Sequence, residues 1–278
     1  MLGSGIPLVS EYRELETDPD FCRLHEFSRT FRASIASAKG PSRRYGVRWV
    51  DDPFLQWSRR WEYVYVAQRL EDWWKRNPDA LDVADAGSGF TFFPFYLQQR
   101  KPDCRICCID SDPVAGRAID AASHDIGGGP SFSLNDLEDL DRESESLDAV
   151  YSVSVIEHTA NPQDVVAEIH RILRKGGIFV CTFDVSFEPR SPMYLTRVDK
   201  LVTRLQETFV IQDTKQPGSI GDAERPDVVT TTWISKTFPE RLPWRFPRLV
   251  WFYDLLRGRF RTGLYRPMTF YCGTYIKS

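Results

Sequence analysis

Leu81-Asp82-Val83-Ala84-Asp85-Ala86-Gly87-Ser88-Gly89 joins a short apolar run to a glycine-rich turn. Strands buried on both faces of a parallel sheet read as such runs. The glycines let the chain turn tightly and let a ligand approach the backbone. Phe92 to Gln99 then reads as the start of a helix, and Arg105-Ile-Cys-Cys-Ile109 as a second strand, ended by Asp110. Strand, glycine turn, helix, strand and acid is the order in which a nucleotide-binding βαβ unit is built.

The alternation continues outward from this unit. Val114 to Ser123 reads as a helix, Ser131 to Leu134 as a weak third strand, and Leu147 to Ser154 as a more apolar fourth. Asp164 to Leu173 is a helix, closed by Lys175-Gly176-Gly177, and Ile178 to Phe183 is a fifth strand. A helix over Tyr194 to Leu205, a strand over Thr208 to Gln212 and a last strand over Thr269 to Ile276 complete the pattern. Strands alternating with helices predict an α/β fold with a doubly wound, mostly parallel seven-stranded sheet. Ligands bind such sheets at the carboxyl ends of the strands.

Residues 1–80 carry no strand signal. Phe21, Leu24, Phe27 and Phe31 line one helix face, and Trp61 to Trp73 form a second helical run that stops at Asn77-Pro78. The expected organisation is a helical N-terminal extension that covers the cofactor (1–80), a cofactor-binding core (81–184), and a C-terminal part of the sheet (185–278). That last part holds an insertion at about 215–265, expected to act as an acceptor lid.

The 278 residues are 42% hydrophobic and 27% charged, which suits a globular protein with a substantial core. A net charge of -3 argues against wholesale nucleic-acid binding. No apolar run reaches the roughly 20 residues that cross a bilayer. Cys104, Cys107 and Cys108 read as small apolar residues of a buried strand rather than a redox or metal pair, which points to a reducing, cytoplasmic setting. No metal site is expected.

Asp110 stands where an acid accepts hydrogen bonds from both ribose hydroxyls. A nicotinamide dehydrogenase would place a third glycine where Phe92 stands. Asp85, two residues before the first glycine, instead suits the ammonium group of an amino-acid moiety. At this point Asp85-Ala-Gly-Ser-Gly89 resembles motif I of the class I S-adenosylmethionine-dependent methyltransferases, a Rossmann-like family. Ser154-Val-Ile-Glu157-His158 resembles the segment after that family's fourth strand, and Arg171-Ile-Leu-Arg-Lys-Gly-Gly-Ile-Phe-Val180 its turn before the fifth, with Lys175 where proline is usual. Asn135-Asp136-Leu137 lies where the family places an adenine-contacting acid. The resemblance spans about residues 81–184.

The resemblance implies S-adenosyl-L-methionine as cofactor. Gly87, Ser88 and Gly89 would pack against its methionine and ribose portions, and Asp110 with Ser111 would meet the ribose. Asp136 and Leu137 would take the adenine, beside Asn135. Ser152, Val153 and Ser154 would floor the cleft. His158 would stand near the reacting centre, as general base or only as an orienting group. Arg59, in Trp57-Ser-Arg-Arg-Trp-Glu-Tyr63, would reach the methionine carboxylate; packing on the sheet is the alternative for this segment.

Phe90, Phe92, Phe93 and Phe95 are read as core rather than as an acceptor platform. Arg241, Arg245, Arg248, Arg257, Arg259, Arg261 and Arg266 interleave with aromatics in the insertion. They suit an anionic sugar, glycan or other small acceptor, with O-methylation as the expected reaction. An acidic membrane surface, RNA, or a plain solvated face are alternatives. A catalytically silent binding module and a nicotinamide oxidoreductase remain as other functions. Oligomeric state has no signal here.

Overall fold

The computed structural model describes residues 1–35, 52–191, 193–212, 220–242 and 265–278. Its strands are β1 (Asp82–Ala86), β2 (Arg105–Asp110), β3 (Ser131–Leu134), β4 (Leu147–Val153), β5 (Leu173–Ser186), β6 (Val210–Ile211) and β7 (Met268–Ile276). They form one sheet in the order β3-β2-β1-β4-β5-β7-β6. The first five are parallel, and β7 runs antiparallel between β5 and β6. The strand order reverses between β1 and β4, where a doubly wound sheet opens its ligand crevice.

The described helices are α1 (Val9–Glu14), α2 (Pro19–Ser34), α3 (Trp57–Arg76), α4 (Phe93–Arg100), α5 (Pro113–Ile126), α6 (Pro162–Ile172), α7 (Leu195–Thr208) and α8 (Thr231–Thr237). Successive strand residues point to opposite faces, and the sheet separates two apolar layers accordingly. Val83, Ile106, Cys108, Ala149, Tyr151 and Val180 pack with α3, α4 and α5. Ala84, Ala86, Ile109, Val150, Phe179 and Cys181 pack with α6 and α7. Several helix starts are set locally by a side-chain cap followed by proline. Asp18 accepts from Asp20 N at 2.7 Å before Pro19, and Asp112 from Val114 N at 2.8 Å before Pro113.

α3 lies within the core rather than beside it. Of its 20 residues 13 are buried, including Trp57, Trp61, Tyr65 and Leu70, because it is packed between the sheet and α2. A helix covered on all sides needs apolar residues all round, and that accounts for the Trp and Tyr content of this segment. The N-terminus also makes unexpected bridges. Gly5 pairs with Cys272 of β7 through bonds of 2.7 and 2.9 Å, and Val229 N donates to Pro7 O at 2.9 Å.

Two local readings are corrected. Lys175-Gly176-Gly177 does not close a helix; α6 stops at Ile172, and these residues lie in the bulged start of β5, whose pairing with β4 slips between Leu147 and Ala149. The strand expected over Thr208 to Gln212 shrinks to two residues, because α7 continues to Thr208. Much of the expected insertion lies outside the described residues. Its described part, 220–242, packs on the N-terminal helices: Trp233 meets Tyr12 edge to face at 5.9 Å, and Arg241 bonds Glu16 at 2.7 Å. No described helix is long and apolar enough to cross a membrane.

Candidate active site

At the carboxyl end of β1 the chain turns on Gly87, with a left-handed φ of +78°. A β-carbon there would overlap the Val155 side chain from the end of β4, so glycine is required twice over. The amides of Gly87 and Ser88 donate to Ile109 O at 2.8 and 3.1 Å, binding the turn to β2. Gly89 N donates to Asp110 Oδ2 at 2.8 Å, and Asp112 N to Oδ1 at 2.9 Å. Each carboxylate oxygen keeps capacity for a second donor. Glycine turn and acid are thereby one rigid unit.

Two cavities adjoin at this point. One, of about 220 Å³, is lined by Asp85, Gly87, Ser88, Gly89, Asp110, Val153, Ser154, Arg59 and His158, with Pro53, Tyr63, Phe90 and Phe93 as an apolar wall. The other, of about 320 Å³, is lined by Gly87, Asp110, Ser111, Asn135, Asp136, Leu137, Val155 and His158. Gly87, Asp110, Val155 and His158 border both. The fold thus gathers all but one of the residues singled out from the sequence. The exception is Ser152, which does not line the cleft: its fully buried hydroxyl donates to Ala86 O at 2.8 Å and ties β4 to β1. Alternation along β4 turns it away while Val153 faces the cavity.

Asn135 is held by Ser133 Oγ at 2.7 Å and by Asp141 N at 3.1 Å, and Asp136 Oδ1 accepts from Glu138 N at 3.0 Å. These short-range bonds shape the loop after β3. The four phenylalanines of the 90–95 turn are all buried, in keeping with a core role, although Phe90 and Phe93 also edge the first cavity. Cys104, Cys107 and Cys108 are buried free thiols; burial pushes that of Cys104 up to about 12.

The electrostatics are set by burial. Asp85 is pushed up to about 8, by desolvation first and by the charge of Asp110, against the opposing Tyr151 hydroxyl. His158 is held below its ordinary value by burial and by the Arg59 guanidinium, so it is neutral near pH 7. For Arg59, burial disfavours the charge, but Glu62, Tyr63 and Asp184 more than offset it and its pKa rises.

The sequence reading missed two groups. Glu157 and Asp184, from the ends of β4 and β5, bring oxygens within 4.8 Å of a His158 nitrogen and of each other. Burial raises both carboxyls; the Asp184 charge adds to the rise of Glu157, and the Glu62 charge to that of Asp184, which is pushed up to about 7. The positive charge of Arg59 already acts on all three groups, and we read them as a proton-sharing set. Glu62 is the other omission. It is fully buried and accepts from Arg59 Nη1 at 2.5 Å, Ser154 Oγ at 2.6 Å and Thr182 Oγ1 at 2.7 Å. In sequence Glu62 is marked only by its place between Trp61 and Tyr63, three residues after Arg59.

Comparison with known proteins agrees with this geometry. The family described as "Methyltransferase domain" matches residues 84–181. A malonyl-[acyl-carrier protein] O-methyltransferase of Hahella chejuensis is 29% identical over 101 residues, 36% of each chain. A sterol 24-C-methyltransferase of Debaryomyces hansenii is 27% identical over 145 residues, 50% of this chain and 36% of that one. The chain therefore spans about a third of the length of these relatives. Among solved structures, geranyl diphosphate methyltransferase in complex with GPP and sinefungin has a similar fold, with a TM-score of 0.50 and 16% identity over 77% of each chain. Family match, strand order and the glycine turn at the switch point agree: over residues 84–181 the core of this chain is similar to a methyltransferase domain and has the strand order of a doubly wound sheet.

Proposed function

We propose that the protein transfers a methyl group from S-adenosylmethionine to an oxygen of a small acceptor. The observation that carries this reading is the convergence of Gly87–Gly89, Asp110, Asn135–Leu137 and His158 on two adjoining cavities at the switch point. The residues fit the cofactor. Asp110 can accept from ribose hydroxyls, the buried Asp85 carboxyl suits an ammonium, and nothing lies within 4 Å of where a Gly89 β-carbon would stand, so open space adjoins the turn.

When bound, the cofactor supplies a sulfonium-activated methyl group. This chain's own work is to align the acceptor, exclude water and take a proton. The apolar wall of Pro53, Tyr63, Phe90 and Phe93 excludes water. His158, neutral near pH 7 and bordering both cavities, is the proposed acceptor of the hydroxyl proton through a ring nitrogen. Glu157 and Asp184 beside it provide a place for that proton to move.

The relatives' names speak of acceptors as unlike as malonyl-[acyl-carrier protein] and a sterol, so acceptor class is argued from this chain alone. Anionic sugars and glycans are the first class to screen, on the strength of the arginine-rich stretch at 241–266. Arg241 is engaged with Glu16, which leaves that argument to the exposed Arg266 and to the arginines outside the described residues. The test is calorimetric titration with S-adenosylmethionine, S-adenosylhomocysteine and NAD(H), followed by methyl transfer to an acceptor panel read by mass spectrometry. Binding of the first two alone is expected. Binding of NAD(H) in their place would overturn the reading, and cofactor binding with no methylated product across the panel would favour a silent binding module.

A further inference from the structure

We propose that Glu62 is a positioning residue: it fixes Arg59 over the cleft to take the carboxylate of the cofactor's methionine half, and it holds Ser154 in the strained conformation that floors the site. The inference rests on the cofactor reading above.

Three elements meet on this one side chain. Glu62 Oε1 accepts from Ser154 Oγ of the β4 end at 2.6 Å and from Thr182 Oγ1 of β5 at 2.7 Å. Oε2 accepts from Arg59 Nη1, one helical turn back along α3, at 2.5 Å. The same Nη1 donates to Ser154 Oγ at 2.5 Å, which closes a ring of three side chains. Ser154 has a φ of +51° and is one of two described non-glycine residues in that region. Such a backbone persists only where its surroundings over-determine it, and the Glu62 and Arg59 bonds to its hydroxyl do so.

The ring leaves the rest of the guanidinium for a ligand. Among the described residues, Arg59 hydrogen-bonds through Nη1, while the side chain lines the first cavity. A free arginine samples many rotamers, and the entropy of ordering it would weaken any anion it binds. Held by Glu62, it presents a fixed fork suited to a carboxylate. Asp85, on the same cavity, complements it with an acceptor for the ammonium. The two ends of an amino-acid zwitterion then have separate, preset partners.

The test compares two ligands that differ in that zwitterion. S-adenosylhomocysteine carries it; 5′-methylthioadenosine keeps the adenosine and thioether and lacks it. In Glu62→Gln the amide oxygen still accepts from Ser154 and Thr182, but the NH2 group faces Arg59. We expect S-adenosylhomocysteine to bind at least about tenfold more weakly, the effect of one misplaced charge-assisted pair, with 5′-methylthioadenosine within about twofold. Thr182→Val, near-isosteric, removes one donor and should shift the same ratio in the same direction by less; it serves if Glu62→Gln does not fold. Equal weakening of both ligands, or of neither, overturns the positioning role while leaving the cofactor reading intact. Failure of the unaltered protein to bind either ligand would overturn both.

Discussion

Asp110 and His158 border the same cavities, yet their substitution should have separable effects. The Asp110 carboxylate ties the glycine turn to β2 through Gly89 N and remains able to accept from a ribose. Asp110→Ala should weaken S-adenosylhomocysteine binding by about 1.5–3 kcal/mol, the range for losing bonds to a charged group; calorimetry measures this directly. His158→Ala should leave that affinity nearly intact and slow turnover about 100-fold. Because burial and Arg59 hold the His158 pKa below its ordinary value, the rate of the unaltered protein should fall only at pH below about 6.5, as the imidazole takes up a proton. A rate that is flat through that range would leave His158 an orienting group. Ser152 was expected beside these residues and is absent from the cleft, because a one-residue step along a strand reverses the side chain's direction.

At the scale of elements, the five parallel strands and their helices were legible because each burial pattern is local: β2 needs apolar residues on both faces, and α6 needs a stripe at Val165, Val166, Ile169 and Ile172. The misreadings arose where a partner decides. Lys175-Gly176-Gly177 has the composition of a helix cap, but pairing with β4 draws it into β5. Glu62 reads as an ordinary helical acid until β4 and β5 bring Ser154 and Thr182 to it. Gly116 in α5 is a similar case. Glycine within a helix costs up to about 1 kcal/mol relative to alanine, so sequence alone recommends Gly116→Ala. In the fold a β-carbon there would lie 2.5 and 2.6 Å from two ring carbons of Phe132 on β3. Overpacking of this kind costs about 1–3 kcal/mol, and the net effect should be a lower Tm. A raised Tm would show that Phe132 yields freely. Gly116→Ala combined with Phe132→Leu should recover much of the loss.

Across the whole molecule, cofactor binding and stability are coupled to pH through one buried acid. Asp85 titrates at about 8 in the fold and near 3.9 in an unfolded chain. Between those values the folded state holds a proton that the unfolded state has released. Stability attributable to this group is therefore full below about pH 4 and declines as pH rises towards 8. Asp184, raised to about 7, acts with the same sign. An ammonium placed against Asp85 favours the ionised carboxylate, so ligand binding should expel the proton. At pH 7, S-adenosylhomocysteine binding should release up to about one proton, and affinity should tighten as pH rises to about 8. Titration in two buffers of different ionisation enthalpy reads the released proton as a difference in apparent heat. Asp85→Asn should abolish that difference and flatten the decline of Tm with pH, leaving the contributions of Asp184 and Glu157. Equal heats in both buffers for the unaltered protein would mean that Asp85 does not meet the ammonium, and the amino-acid end of the cofactor would have to be placed elsewhere in the cleft.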